Sequence, residues 1–533
     1  MITLTLRFLV VLILFVSWAK AGLAGEWLLF LVDCFVLLSL FALLKGRFIN
    51  KTTLFCFVPI ILLSVQYLVS FFNPSFATLG KEELANMDVN TYILREQNLD
   101  KAIMVSEGIE SIVFTSKSDP ALANSLFFDL KNRYYDKFPE STSASAQLLE
   151  KYQSQISLNS NGLIPGTAIE NDFWAFIHFV CHIIIGLIFF LLISSKHLIR
   201  TICKIIVFNA VLISIFGIWQ KIYYVPNENL LEIWGIWDTP EPRYYFASFT
   251  YKNHWSAFAL IIVSILIGLL QNAFQKKGLH ELCNSTHLLL MIGLIPICIS
   301  IPLSGSRSGS LLLILLLIGS LILIIRHYKL FKAIPLLLSI LGTSIFILLC
   351  FLGAKSAKEE TIHEMESNFK SQYNNLLSGK SPLRLLLWKD LVFQISEKPV
   401  FGHGFDSYRA INPIYQSAEV RNERNIVLNS AHTKFIPLIS YGHNDWLQRI
   451  SEFGFFGLCL LAPILYRLFL AFKGTHSLFQ QNLIWGLAVF LIYSFVDFPS
   501  HTPICLMMFS ITTGLSLKYN LLSSKYHKIT NIG

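Results

Sequence analysis

Stretches of about 20 apolar residues, the length an α-helix needs to cross a bilayer, recur from one end of this chain to the other. Inside a bilayer every backbone N–H and C=O must find its partner within the protein, so such runs fold as helices. Hydropathy places about twelve spans, near residues 3–19, 27–44, 54–72, 173–195, 203–222, 254–273, 286–303, 309–325, 333–353, 446–472, 481–497 and 500–517. Of the 533 residues, 54% are hydrophobic and only 14% charged, too few polar groups to clothe a soluble fold of this size. The expected architecture is therefore an all-α polytopic membrane protein. The first run reads as a retained span, because only a weak cleavage pattern, "SWAKAGLAG", follows it.

Basic residues near span ends are held on the cytoplasmic side. Lys45, Arg47 and Lys51, then Lys196, Arg200 and Lys204, then Lys276 and Lys277, Arg326, Lys329 and Lys332, Lys473, and finally Lys518, Lys525 and Lys528 fall in alternate connections. Those connections, and both termini, are expected inside. The formal net charge of +9 is largely this topological signal, so it calls for no nucleic-acid partner. The nine cysteines lie in spans or inner connections and form no C-x-x-C or other metal spacing, so neither a disulfide framework nor a metal is expected.

The topology divides the chain into 1–72, N-terminal membrane helices; 73–172, an outside segment with the pattern of a small helical cap; 173–353, central membrane helices; 354–445, a second long outside segment; and 446–533, C-terminal helices and a short tail. In the second outside segment, Leu383, Leu386, Leu387, Leu391 and Ile395 recur at helical spacing and stop before Pro399. A turn at Gly402 and Gly404 is expected next.

Polar residues of chemical interest gather on the outside face. Arg307, in "LSGSRSGS", lies between two apolar runs, so its guanidinium sits near the hydrocarbon boundary. There it either snorkels to lipid headgroups or meets an anionic ligand beside Ser304, Gly305, Ser306, Ser308 and Gly309, with a helix starting near Ser308 turning free N–H groups outward. Arg243 is either a solvated loop charge or, with Lys252, Asn253 and His254 close by in sequence, half of a two-arginine grip on a diphosphate. His443 is either a structural residue at the start of a helix or a general base. Asn444 and Asp445 have the character of residues that open a helix, and Glu452 is placed to pair with Arg449. Asp33, alone within the second span and near its outside end, reads as a hydrogen-bonded structural carboxylate.

Taken in order, "RYYFASFTYKNHWSAF", "LSGSRSGSLLLILLLIGSLILIIR", "RLLLWKDLVFQISEKPVFGHGFDSY", "GHNDWLQRISEFGFFG" and "SFVDFPSHTP" resemble the O-antigen ligase and O-antigen polymerase superfamily of bacterial envelope proteins, over roughly residues 200–515. The resemblance implies a metal-independent, cofactor-free glycosyltransferase of the bacterial inner membrane with its site facing the periplasm. Its partners would be membrane lipids, a polyprenyl diphosphate-linked glycan donor, and a lipid or glycan acceptor: the lipid A core for a ligase, another carrier-linked unit for a polymerase. It implies that Arg243 and Arg307 hold the donor diphosphate and that His443 serves the acceptor. Lys252 and His254 stand where many relatives carry a less basic pair, so the resemblance assigns them no role: they are candidate substrate-binding residues that add donor contacts, or they anchor the sixth helix at the interface. Segment 73–172 is longer than the usual connection between early spans of the family. A transporter and a non-catalytic scaffold are the competing readings; transporters place binding groups near the midplane on broken helices, whereas these lie at one face.

Overall fold

The computed structural model describes residues 2–24, 26–45, 51–73, 79–88, 92, 94–139, 142–154, 164–167, 173–223, 232–233, 236–238, 245–277, 284–328, 383–422 and 439–530. Among the described residues the fold is all-α apart from one antiparallel pair of two-residue strands, β1 (Glu232–Ile233) and β2 (Trp237–Asp238). Helices coincide with eleven of the twelve expected spans: α1 (Ile2–Trp18), α2 (Glu26–Lys45), α3 (Lys51–Phe71), α8 (Phe173–Leu192), α9 (Lys196–Tyr223), α10 (Lys252–Lys277), α11 (Ser285–Leu303), α12 (Arg307–Tyr328), α15 (Asp445–Gly474), α16 (Leu478–Tyr493) and α17 (Pro503–Thr530). The expected span 333–353 and the position of Arg243 lie outside the described residues. Among the described residues, six of these helices, α8 to α12 and α15, are long and apolar enough to cross a membrane.

By packing, the chain forms two compact units, each assembled from separated stretches: residues 1–56, 174–368 and 463–533 in the first, 57–173 and 369–462 in the second. The five segments expected from hydropathy divide the chain by sequence, whereas these units divide it by contact.

In the first unit α10 is the centre. Trp255, Ala257, Phe258, Ala259, Leu260, Ile261, Ile262 and Val263 are all buried, the all-round apolar pattern of a helix enclosed by others. It packs against α9, α11, α12, α16 and α17. Small residues permit the closest approaches: a Cβ on Gly486 of α16 would lie 1.9 Å from the Ser264 hydroxyl, and one on Gly186 of α8 would lie 2.1 Å from the Ser510 carbonyl of α17. Polar side chains add interhelical bonds, Asn482 Nδ2 donating to Gln271 Oε1 at 2.7 Å and Gln271 Nε2 to the Ser320 carbonyl at 3.4 Å.

In the second unit four helices, α4 (Lys81–Ala85), α5 (Leu99–Ser116), α6 (Pro120–Lys137) and α7 (Ala144–Gln153), enclose their own core of Val105, Ile109, Phe127, Leu130, Tyr134, Leu148 and Leu149. The last three start at side-chain caps: Asn98 accepts from Lys101 N, Asp119 from Leu122 N ahead of Pro120, and Ser143 from Ala146 N. The same unit holds α13 (Leu383–Glu397) and α14 (Tyr408–Tyr415). Arg409 pairs with Asp119 at 3.2 Å, Asn132 Nδ2 donates to the Pro413 carbonyl at 2.6 Å, and Arg421 Nη2 donates to Asp136 at 2.9 Å, so the described residues 408–421 pack on α6 and its N-cap.

Candidate functional site

The first unit carries a polar cluster where α9 ends and α10 and α12 begin. Ser306, buried, caps α12 by accepting from Gly309 N at 3.1 Å. The helix thus starts at Arg307, one residue earlier than its sequence suggests. Tyr493, at the end of α16 and fully buried, is 3.0 Å from the Ser306 hydroxyl and accepts from Ser308 at 3.2 Å. This clamps the short connection, and Arg307 stands exposed on it. Gly305 turns the chain at φ +82, and a Cβ there would lie 3.7 Å from Lys252 Nζ. Lys252, the first residue of α10, therefore reaches the same connection as Arg307. The partial positive charge of two helix N-termini adds to these side chains.

A third cation joins them. Lys221, in the last turn of α9, lies 5.6 Å from the centre of the Tyr245 ring and close enough to Lys252 for the two charges to interact. In the sequence Lys221 marks only the end of an apolar run, and its one local signal is a cation closing a helix.

His254 is placed differently from Lys252. It is buried, its Nδ1 is 2.6 Å from Thr502 Oγ1, its carbonyl accepts from the Cys505 thiol, and its ring meets Phe498 edge-on at 4.8 Å. Asn253 donates to Asp497, and Tyr251 stacks on Phe498 at 5.7 Å. "YKNH" and "DFPSHT" thus form one clasp that fixes the start of α10, with Lys252 as its outward member. Elsewhere in this unit Asp33, expected alone, pairs with His178 of α8, a structural carboxylate whose partner is 145 residues away.

The second unit carries His443. The residue adopts φ +51, a left-handed conformation that a non-glycine side chain occupies at a cost of about 1–3 kcal/mol unless its surroundings hold it there. They do. Gly442 N donates to Gln448 Oε1 at 3.0 Å, Trp388 Nε1 of α13 donates to the His443 carbonyl at 3.3 Å, and Asn444 caps α15 by accepting from Leu447 N at 3.0 Å. The imidazole is half-buried, ahead of the first helical turn.

Beneath it lies Glu452, fully buried, accepting from Gln448 at 3.1 Å and from Arg449 at 2.9 Å. Residues 399–405 cross α15 as a strap: His403 N donates to the Ser451 carbonyl at 2.8 Å, Gly404 N to that of Glu452 at 2.9 Å, Phe455 N to that of Pro399 at 2.8 Å, and Phe456 N to that of Val400 at 3.1 Å. The strap fits because α15 breaks at Gly454, at φ 68 and ψ −175. The expected single span at 446–472 is thus a polar-lined helical start followed by an apolar continuation. Gln66 of α3 ties both parts, donating to the Phe401 carbonyl at 2.9 Å and to that of Phe453 at 3.0 Å. His403 is buried with its Nε2 2.9 Å from the Gln394 carbonyl; burial pushes its pKa down to about 4.

Of the expected site residues, Arg307 and Lys252 come together in the first unit, His254 lies buried behind them, and His443 is presented by the second unit. Among the described residues no group of three His, Cys, Asp or Glu side chains has the arrangement of a metal site.

Residues 290–462 match the family model Wzy_C, described as O-antigen ligase. The resemblance read from the ordered motifs is borne out over that stretch, which contains Arg307 and His443 and leaves Arg243, Lys252 and His254 outside it. No curated protein matches the chain. With its long apolar helices, the chain is a multi-pass membrane protein that carries a stretch similar to the O-antigen ligase family.

Proposed function

We propose that the protein transfers a glycan from a polyprenyl diphosphate carrier to an acceptor hydroxyl, without a metal, at the periplasmic face of the bacterial inner membrane, and that it is a ligase whose acceptor is the lipid A core or a similar lipid. The observation that carries this reading is the convergence of Arg307, Lys252 and Lys221 at the N-terminal ends of α10 and α12, in a chain whose matched family is that of O-antigen ligases.

In the transfer, the acceptor oxygen bonds to the anomeric carbon as the bond from that carbon to the diphosphate oxygen breaks, and the diphosphate departs with the electron pair. Fixed cations stabilise the charge that develops on it. Arg307 suits this role because a guanidinium stays protonated and binds phosphate oxygens in pairs. Arg243 is the proposed second guanidinium, Lys252 and Lys221 add point charge, and His254 positions Lys252 through the clasp with Thr502. His443 takes the acceptor proton, the general-base role that an imidazole can fill. Its left-handed backbone and triple anchorage limit the freedom lost when the acceptor binds.

A polymerase would use the same chemistry on a carrier-linked acceptor, and the glycolipid profile of a deletion strain separates the two. Long carrier-linked chains should accumulate if the protein is a ligase. Accumulated single repeat units would instead make it a polymerase, and an unchanged profile would remove the transferase reading altogether.

A further inference from the structure

The second unit contains an open groove of about 410 Å³ that the transfer chemistry does not use, a volume within the range of small-ligand sites. Its floor is aromatic: Phe393 of α13, 55% exposed, meets Tyr415 of α14 edge-on at 5.7 Å. Its rim is polar, with Lys389, Asp390, Ser396 and Ser417. Asp390 is set in place, since its Oδ2 accepts from both the N–H of Ser417 at 3.1 Å and its hydroxyl at 3.3 Å. Lys389 pairs with Glu419 at 3.3 Å, at the exposed edge.

We propose that this groove is a saccharide-binding subsite, which holds sugar units next to the reacting one while His443 acts. A sugar presents a polarised C–H face, which suits the negative face of an aromatic ring, and hydroxyls that need both donors and acceptors at its edge. An acyl chain would strand Asp390 and Lys389 in an apolar contact, and a phosphate would face the carboxylate of Asp390. The groove is also coupled to His443 through one helix. Trp388 and Leu391 of α13 face the His443 loop, the first bonding the His443 carbonyl and the second lying 2.5 Å from where a Gly442 Cβ would sit, while Lys389, Phe393 and Ser396 of the same helix line the groove. The whole groove falls within residues 290–462, the stretch matched to the O-antigen ligase family. Its biological meaning rests on the transferase reading; the binding itself does not.

The test is saturation-transfer NMR on the full chain in lipid nanodiscs, with two probes released by mild acid from the host: the oligosaccharide of the carrier-linked glycan, and the core oligosaccharide of lipid A. One of them should receive magnetisation at its ring protons, and which one does so tells donor from acceptor. Phe393→Ala, at an exposed position, should weaken that binding at least five-fold. Asp390→Asn should do the same, and Gly474→Ala, where an added Cβ meets nothing within 4 Å, should leave it unchanged. The proposal is overturned if neither probe binds the wild type, if Phe393→Ala binds like the wild type, or if the groove takes its magnetisation from lipid acyl chains. Groove binding without any glycan transfer would sink the transferase reading alone; transfer that survives in a chain whose groove binds no sugar would sink the groove alone.

Discussion

Replacing Gly454 by Ala tests whether the strap across α15 holds the His443 region together. At φ 68 and ψ −175 an L-residue is strained by about 1–3 kcal/mol. The new Cβ would lie 2.1 Å from the Val400 carbonyl oxygen and 2.3 Å from its carbon, so the strap must lift. Lifting breaks the bonds from Phe455 N to Pro399 and from Phe456 N to Val400, each worth about 0.5–1.5 kcal/mol. The sum, about 2–6 kcal/mol, corresponds to a fall in melting temperature of at least about 4 °C for a large domain. The matched control is Gly474→Ala, where an added Cβ meets nothing within 4 Å. Thermal unfolding of both variants in one detergent, followed by tryptophan fluorescence, reads the difference, and glycan transfer should fall only for Gly454→Ala. If that variant melted at the wild-type temperature, the break and the strap would not be structural determinants and the account of how His443 is held would be wrong.

Arg449→Ala leaves Glu452, fully buried, without the guanidinium 2.9 Å away, and breaking a buried pair from one side costs about 3–5 kcal/mol; the double variant Arg449→Ala/Glu452→Gln should recover part of the loss in the same melting assay, and no recovery would contradict the pairing. His403 gives a pH dependence with a defined sign. Its folded pKa, about 4, lies below the unfolded value of about 6.5, so its contribution is complete above pH 6.5 and declines as the pH falls toward 4, by about 1.4 kcal/mol per pH unit. Between pH 7.5 and 5 the wild type should lose more thermal stability than His403→Gln, and parallel profiles would contradict the burial argument.

The membrane helices were legible because each needs an apolar run of bilayer length, a local property that survives without any knowledge of neighbours. Partners were not legible. Asp33 was visible as an ionisable group in a span, yet His178, its partner on α8, is 145 residues away and nothing local links them. His254 and Lys252 sit two residues apart and read alike as polar residues opening a helix, but one turns inward to Thr502 and the other reaches Gly305. Gly454 lies inside a stretch whose hydropathy runs on without a break, and only the crossing of residues 399–405 explains the glycine. The pairing of Glu452 with Arg449 and the cap at Asn444 were legible because both lie within one helical turn. Lys221 was hidden at a span end, since its role depends on the approach of Lys252 from another helix.

The most direct measurement of the central claim is glycan transfer in proteoliposomes containing EDTA, from a carrier-linked donor to a lipid A core acceptor, by the wild type, Arg307→Ala and His443→Ala. The account predicts transfer by the wild type despite the chelator, a fall of about 10²-fold or more for His443→Ala, as expected on losing a general base, and a comparable fall for Arg307→Ala through lost charge stabilisation. Wild-type rates in either variant, or a wild type silenced by EDTA and restored by a divalent cation, would contradict it.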